Sequence, residues 1–412
     1  MKNRLICGDC VEVMRKMEAE SVALIYADPP HFSQNEYRGE TGWQKNSRLF
    51  FSDKWHWDKT SEESFKRILS SDSSQTKTAL TALSTLYGDS SELAYSVFIA
   101  ERLTEMYRIL DSQGSLFLHL GVGVSHIGKI LLESVFGFKN LRNVIIWHKS
   151  GGGRSRRSFS HKYDVIFWVS KTGKWRFNAD SIRVPYKESS GYAKSGITAK
   201  SGKCYKPHPK GAIPDDVWYI PMVNPLSNER VGYPTQKPET LVERIILAAS
   251  NEGDVLLDPF CGSGTSLVTA SRLKRYFIGI DISKDAIETS ARRLKEVLPS
   301  VEFEIEGYKK APLHRTRLGG DKVKIRVFSR KSCPNCEIAK KTVEQFIQSH
   351  NLQNLVKVEM HDLDTVNGLA EGAYWDVMSV PTLIVMRGNN VLARWDGIVP
   401  KEEAIEKVFE QQ

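Results

Sequence analysis

The chain has 412 residues, of which 41% are hydrophobic and 26% are charged, a composition typical of a soluble globular protein with two or three domains. No apolar run approaches the roughly 18 residues that a membrane span requires, and no signal-peptide core follows the N-terminus. We therefore expect a cytoplasmic protein with no membrane partner. The formal net charge is +9, and it is unevenly distributed.

The positive charge is concentrated in one segment. Residues 149–210 contain 15 basic and 3 acidic side chains, whereas residues 321–412 contain 12 basic and 13 acidic ones. Such a local excess predicts a surface that binds a polyanion such as nucleic acid. A solvated surface loop is the alternative interpretation.

Five short apolar runs predict buried parallel strands. In chain order they are RLIC at residues 4–7, VALIYADPP at 22–30, GSLFLHL at 114–120, DVLLDPF at 254–260 and YFIGIDIS at 276–283. Segments with apolar residues at three- and four-residue spacing lie between these runs and predict helices. This alternation predicts an α/β fold with a doubly wound sheet.

Three segments depart from this alternation. Residues 38–92 and 149–232 are rich in Ser, Lys, Gly and single aromatic residues, and they are too long to be plain connections, so we predict functional insertions. Residues 311–321 contain Pro, Gly and charge without periodicity, and a new strand–helix pattern follows them. We therefore predict a first domain over residues 1–310, a linker over 311–321 and a second domain over 322–412.

A glycine-rich turn follows the fourth predicted strand and opens a helix in the sequence DPFCGSGT. Gly262 and Gly264 allow a ligand to approach the backbone closely, and Asp281 at the end of the next strand can accept hydrogen bonds from a ribose. The turn predicts a nucleoside-cofactor site, with helix–strand packing as the alternative. The third glycine of the dinucleotide fingerprint is absent, which favours S-adenosylmethionine over NAD.

Together with IYADPPH at residues 25–31, this turn resembles the amino-methyltransferase family of DNA-modifying enzymes. The tetrapeptide Asp28–His31 precedes the cofactor loop Asp258–Thr265, an order similar to the circularly permuted β class. The segments GDC near the N-terminus and GYPTQKPETLVERII at residues 232–246 also fit this class. The resemblance implies a Rossmann-like methyltransferase fold with a target-recognition region at residues 149–232.

The resemblance further implies S-adenosylmethionine as cofactor and double-stranded DNA with a flipped target base as substrate. Asp281 is expected to hold the cofactor ribose and Asp9 to contact its adenine. The full set of expected cofactor-binding residues is Asp9, Thr235, Lys237, Asp258, Phe260, Gly262, Gly264, Thr265 and Asp281. The expected catalytic residues are Asp28, Pro29, Pro30 and His31.

The chemistry explains the tetrapeptide. An exocyclic amine is a poor nucleophile because its lone pair is delocalised, so its N–H groups need fixed acceptors, here the Asp28 carboxylate and the Pro29 carbonyl. The fourth position is an aromatic residue in the family and stacks on the flipped base. His31 departs from that pattern, and Phe32 is a candidate to share the stacking role.

Several alternatives stay open at this stage. Asp rather than Ser before the two prolines favours adenine N6 in the family, with cytosine N4 as the near alternative and RNA as a further possible substrate. Because of His31, a catalytically silent DNA-binding redox sensor is a hypothesis of a different class. We expect phosphate contacts from Arg154, Arg156 and Arg157. The family also suggests a restriction-modification context and is compatible with a homodimer.

The C-terminal segment beginning VKIRVFSRKSCPNCEIAKK resembles the thioredoxin and glutaredoxin fold. The resemblance implies that Cys333 is the attacking thiolate, that Cys336 resolves the mixed disulfide and that Pro381 is a cis proline beside them. A thiol-redox partner is then expected, and an adaptor used only for docking is the alternative. A four-thiolate zinc site with Cys7 and Cys10 is a weaker alternative, and we expect no metal.

Overall fold

The computed structural model describes residues 2–41, 44–71, 73–149, 157–186, 191, 195–224, 227–307, 323–350, 352, 356–387 and 390–410. The chain divides into two compact units, Met1–Tyr308 and Lys309–Gln412. The predicted linker at 311–321 lies outside the described residues. Within the described residues, no helix is both long and apolar enough to cross a membrane.

A nine-stranded sheet forms the centre of the first unit. The strands of this unit are β1 Asn3–Cys7, β2 Val22–Ala27, β3 Glu36–Thr41, β4 Gln44–Ser52, β5 Leu110–Leu120, β6 Leu141–His148, β7 Tyr163–Ser170, β8 Ile197–Thr198, β9 Cys204–Tyr205, β10 Val217–Tyr219, β11 Val255–Asp258, β12 Tyr276–Asp281 and β13 Phe303–Glu306. The order in the sheet is β10-β6-β7-β5-β2-β11-β12-β1-β13. Only β7 runs antiparallel to its neighbours among the described strands of this sheet.

Helices cover both faces of this sheet. They are α1 Cys10–Arg15, α2 Lys59–Leu69, α3 Ser74–Tyr87, α4 Ser91–Ile109, α5 Ser125–Phe136, α6 Glu239–Ala249, α7 Thr265–Arg272 and α8 Lys284–Val297, with single 3₁₀ turns at Val122–Val124, Phe138–Asn140 and Ala179–Ile182. Alternate residues of β2 face opposite sides, so Ile25 packs in the core beneath α1, α4 and α5, whereas Leu24 packs in the core beneath α6, α7 and α8. The predicted doubly wound α/β fold is confirmed.

The two predicted insertions differ in structure. In the first, β3 and β4 form an antiparallel hairpin that begins at Glu36, two residues before the predicted start, and is followed by α2 and α3. Residues 149–232, in contrast, contribute β7 and β10 to the central sheet, so this segment is not a single insertion outside the fold. The apolar run VIFWV in β7 is typical of a buried strand, but it lies within the strongly basic segment 149–210, whose charge indicated a surface.

The edge of the sheet at the carboxyl ends of its parallel strands gathers acidic residues. Asp28 follows β2, Asp258 ends β11, Asp281 ends β12 and Asp9 follows β1 by two residues. These strands are neighbours in the sheet. Ligands bind at this edge in open α/β sheets, so the topology brings the predicted catalytic and cofactor motifs together.

The second unit contains a four-stranded sheet with its own core. Its strands are β14 Val323–Ser329, β15 Val356–Asp362, β16 Thr382–Arg387 and β17 Asn390–Asp396, and its helices are α9 Pro334–Ser349, α10 Val366–Tyr374 and α11 Glu402–Glu410. The sheet order is β15-β14-β16-β17, with β14 parallel to β15 and the other pairs antiparallel. This architecture confirms the predicted thioredoxin-like fold.

Candidate active site

A cavity of about 440 Å³ opens at the carboxyl edge of the first unit's sheet, a volume typical of small-molecule sites. Every predicted catalytic and cofactor-binding residue except Gly264 lines it. Phe51 and Trp55, from an insertion whose aromatic residues suggested either closure over substrate or local core, also line it. Sequence reasoning missed a further group of lining residues, which includes Tyr26, Tyr37, Asp53, Phe98, Arg102 and Tyr233.

The glycine-rich turn has the geometry of a cofactor cradle. Gly264 caps α7 with φ +73°, and a Cβ there would lie 2.7 Å from the hydroxyl oxygen of Ser290. Gly262 has φ +48°, and a Cβ there would lie 3.2 Å from the Tyr233 ring. Both positions therefore require glycine for conformational and steric reasons. These residues fit a nucleoside cofactor placed against the turn.

Asp258 stabilises this turn from within. The side chain is buried, and its oxygens accept the Phe260 N–H at 3.0 Å and the Ser266 hydroxyl. Burial raises the pKa of Asp258 to about 7, against the lowering effect of both hydrogen bonds. Asp258 thus shapes the loop. Thr265, at the start of α7, accepts a 2.8 Å hydrogen bond from Arg293.

Asp281 joins the turn to the next strand. One carboxylate oxygen accepts the Gly262 N–H at 2.9 Å and the other accepts the Ser283 N–H at 2.8 Å. Burial raises the pKa of Asp281 to about 6, and the two backbone hydrogen bonds oppose that rise. Each carboxylate oxygen has a further lone pair, which leaves Asp281 able to accept hydrogen bonds from a ligand.

Asp9 is occupied by local partners. Its Oδ1 accepts the Val11 N–H at 2.8 Å and caps α1, and its Oδ2 pairs with Arg102 at 2.6 Å. The Arg102 guanidinium lies 3.4 Å from the centre of the Phe98 ring. Phe98 and Arg102 belong to α4, whose regular amphipathic pattern gave no sign that this face lines a pocket.

Asp28 lies between two cationic or polar partners. Its Oδ1 is 2.9 Å from Nε2 of His31, and its Oδ2 pairs with Lys237. Burial alone would raise the pKa of Asp28, but Lys237 and His119 lower it well below its usual range. The carboxylate is therefore ionised at neutral pH and acts only as an acceptor. Lys237, predicted as a cofactor-binding residue, contacts the catalytic residue itself.

The loop after Asp28 is fixed by buried polar contacts. The fully buried carboxylate of Asp53 accepts the N–H groups of Phe32 at 3.0 Å and Ser33 at 2.6 Å. The Tyr95 hydroxyl donates to the Pro30 carbonyl at 2.9 Å. Phe32 has φ +61° and packs on Tyr95, and it does not line the pocket. The structure therefore does not support a stacking role for Phe32.

Asp28, His31 and His119 place one ligand-type atom each within 4.8 Å of one another, the only such group of three among the described residues. Asp28 also pairs with Lys237, and Nδ1 of His119 is 2.9 Å from the Tyr26 hydroxyl. The Lys237 ammonium and the Tyr26 hydroxyl thus already occupy the Asp28 carboxylate and the Nδ1 atom of His119, the groups that a metal ion would need as ligands.

The predicted DNA-contacting arginines lie on the connection between β6 and β7. Arg154 and Arg156 lie outside the described residues, and Arg157 is exposed. Because β6 runs parallel to β5 and β2, its carboxyl end lies at the same edge of the sheet as Asp28. Phe159 in the same connection is almost fully exposed.

The second unit places its predicted redox residues at the start of α9. Cys333 caps this helix and forms a disulfide with the buried Cys336, with their Cα atoms 5.3 Å apart. The Val380–Pro381 peptide bond is cis. Because Cys333 and Cys336 are bonded to each other, they do not serve as zinc ligands in this state.

Comparison with known proteins identifies the first unit. A family model described as DNA methylase matches residues 22–292, more than half of the chain. The chain belongs to this family. A model described as Thioredoxin domain matches residues 323–410 of the methyltransferase, and one described as RMKL-like, methyltransferase domain, matches residues 239–360. The chain is therefore a DNA methyltransferase with S-adenosylmethionine as its methyl donor, followed by a thioredoxin-like domain.

Individual relatives align over most of their length. The Type II methyltransferase M.HpaI of Haemophilus parainfluenzae is 32% identical over 315 residues, which cover 76% of this methyltransferase and 80% of M.HpaI. The DNA adenine methyltransferase YhdJ of Escherichia coli (strain K12) is 30% identical over 292 residues, which cover 70% of this methyltransferase and 82% of YhdJ. The solved complex of M1.HpyAVI with SAM has 20% identity and a TM-score of 0.40, and the match covers 71% of this methyltransferase and 98% of M1.HpyAVI.

Proposed function

We propose that this methyltransferase modifies the N6 amine of adenine at specific sites in double-stranded DNA. The observation that carries the proposal is the ionised Asp28 carboxylate, which lines the same cavity as the glycine-rich turn. An acceptor in this place holds the amine beside the cofactor. The similarity to Type II methyltransferases supports the choice of specific DNA sites.

Each residue of the tetrapeptide has a proposed role. Asp28 and the Pro29 carbonyl accept the two amine N–H groups, so that the amine lone pair turns toward the electrophilic methyl group that the bound cofactor supplies. The Tyr95 hydroxyl and the Asp53 carboxylate hold the loop in place. The target base has to leave the DNA helix to reach this carboxylate inside the cavity, so we include base flipping in the proposal.

His31 is the proposed stacking surface. Its ring is held by Asp28, and a Cβ at Gly121 would lie 3.3 Å from His31, so the imidazole packs directly on the Gly121 backbone. His31 lines the cavity, and about a quarter of its side chain is exposed. Because its ring is fixed from two sides, its free face is available to a flat base.

The cofactor is proposed to lie along the glycine-rich turn. Asp281 accepts the ribose hydroxyls, and Asp9 with the neighbouring Arg102 bounds the adenine end of the cavity. Thr235 and Lys237 are proposed at the methionine end, where Lys237 also holds Asp28. Residues 149–232, apart from the strands they contribute to the sheet, are the proposed target-recognition region.

Adenine rather than cytosine is the proposed target because Asp28 occupies the position before the two prolines. Genomic DNA from cells that express the methyltransferase should contain N6-methyladenine. Chromatography and mass spectrometry of its nucleosides measure this base. DNA from cells that express the Asp28→Ala variant is the control. N4-methylcytosine in place of N6-methyladenine would reject the adenine assignment and keep the enzyme class. Sequencing of the modified positions gives the recognition site.

DNA affinity should fall steeply with salt because of the basic connection between β6 and β7. Neutralising Arg154, Arg156 and Arg157 together is expected to reduce the log–log salt slope by up to about 3 if each contacts a phosphate. Fluorescence anisotropy with a labelled duplex measures the slope. Neutralising the exposed Lys341, Lys401 and Lys407 of the second unit is the control. An unchanged slope for the arginine variant would assign these residues to a solvated surface.

We propose a thiol–disulfide function with a separate redox partner for the second unit. In the reduced protein, Cys333 at the start of α9 should react with iodoacetamide at pH 7 faster than the exposed Cys204, because a helix N-terminus stabilises a thiolate. Peptide mass spectrometry measures both rates in one sample. Equal rates would favour a docking adaptor. A homodimer stays a prediction.

A further inference from the structure

A chain of polar side chains lies beneath the catalytic carboxylate. His119 in β5 is fully buried, and its Nε2 is 3.3 Å from Oδ2 of Asp164. The other oxygen of Asp164 accepts a 2.7 Å hydrogen bond from Lys149. His119 and Asp164 do not line the cavity, so neither side chain contacts a ligand bound there. The roles proposed above leave these buried polar groups unexplained.

Strand register places His119 beside Asp28. Ala27 of β2 pairs with Leu118 of the parallel strand β5, so the residues that follow them, Asp28 and His119, are adjacent across the two strands. His119 Nδ1 is 3.8 Å from the nearer Asp28 oxygen and 2.9 Å from the Tyr26 hydroxyl. Tyr26 and Asp28 lie two positions apart, which places them on one face of an extended chain. One imidazole edge therefore contacts both neighbours.

The partners of His119 assign its tautomer. The Asp164 carboxylate, paired with Lys149, can only accept, so Nε2 of His119 carries the proton and Nδ1 accepts from the Tyr26 hydroxyl. Burial lowers the pKa of His119 to about 4, against Asp28, which raises it. His119 is therefore neutral at pH 7, and the Lys237 ammonium is the cation that pairs with the Asp28 carboxylate.

We propose that His119, oriented by Asp164, is a positioning residue: it accepts the Tyr26 hydroxyl and so fixes that side chain beside Asp28 during methyl transfer. This inference rests on the proposed role of Asp28. Lys149 directly precedes the glycine- and arginine-rich connection between β6 and β7. The same chain of contacts therefore links the catalytic carboxylate to the segment predicted to bind DNA.

Three variants of the full-length protein test this role: His119→Asn, His119→Leu and Asp164→Asn. At position 119, Asn keeps a polar oxygen close to the Nδ1 position, whereas Leu keeps only bulk. The Asp164→Asn change allows the wrong tautomer of His119. His119→Leu and Asp164→Asn should lower the single-turnover rate constant about 10- to 100-fold, as expected for a misplaced acceptor. His119→Asn should retain most of the rate, and S-adenosylmethionine affinity should stay within about twofold in all three.

A matched control removes another buried polar contact between β5 and β7. Ser115 accepts a 3.1 Å hydrogen bond from the Trp168 indole, away from Asp28, so Ser115→Ala should keep the wild-type rate. Equal rates for the Asn and Leu variants at position 119 would overturn the inference. The inference would also be overturned if the loss of rate in every variant, Ser115→Ala included, were proportional to the drop in its unfolding temperature. A wild-type protein that transfers no methyl group would instead refute the proposed function.

Discussion

Replacing Asp28 by Ala should lower the rate constant of methyl transfer by about a thousandfold or more, the size of effect seen when a preorganised catalytic hydrogen-bonding group is lost. The carboxylate contacts His31 and Lys237 and faces the cavity, so its loss leaves the amine without its charged acceptor. Affinity for S-adenosylmethionine should change by no more than about threefold. Single-turnover transfer of a tritiated methyl group and calorimetric binding measure the two quantities.

The Ala variant also leaves the Lys237 ammonium without its partner, so Asp28→Asn is a necessary companion. Asn keeps the volume of Asp28 but replaces one acceptor oxygen by a donor, and it should be nearly as inactive as Ala. Asp89→Ala, an exposed position between α3 and α4, is the control and should behave as wild type. A comparable loss of cofactor affinity in both Asp28 variants would assign this residue to the cofactor.

The cofactor turn was predictable because its chemistry is local in sequence. The strand, the glycines and the helix of DPFCGSGT follow one another directly, and Gly262 and Gly264 adopt the positive φ values that explain their presence. Asp281 was predictable for a related reason, since it ends the next strand along the chain. The apolar runs likewise predicted five strands of the sheet, including the four at whose carboxyl ends the predicted site residues lie.

The surroundings of Asp28 were not predictable because they depend on long-range pairing. His119 is 93 positions from Tyr26, and Lys237 is 209 positions from Asp28. The motif around Lys237 indicated a place near the cofactor, but no local pattern indicated its ion-pair partner. Asp53 lies in a segment without regular periodicity, and a single buried Asp in such a segment has no signature before the fold is known.

Asp281→Ala is expected to weaken S-adenosylmethionine binding about 10- to 150-fold, which corresponds to about 1.5–3 kcal/mol for hydrogen bonds to a charged group. Its carboxylate lines the cavity and also holds the N–H groups of Gly262 and Ser283. Isothermal titration calorimetry measures the dissociation constant. Unchanged affinity would show that the cofactor lies elsewhere in the fold.

Cofactor affinity should also depend on pH through Asp281. Burial raises the pKa of this carboxyl group to about 6, so below that pH the group is largely protonated before the cofactor binds. Ribose hydroxyls that donate to Asp281 favour its charged form, so binding should release a proton and weaken as pH falls from about 7.5 to 5. Asp281→Asn cannot titrate and should lose this share of the pH dependence. An identical pH profile for both proteins would contradict ribose binding by an ionised Asp281.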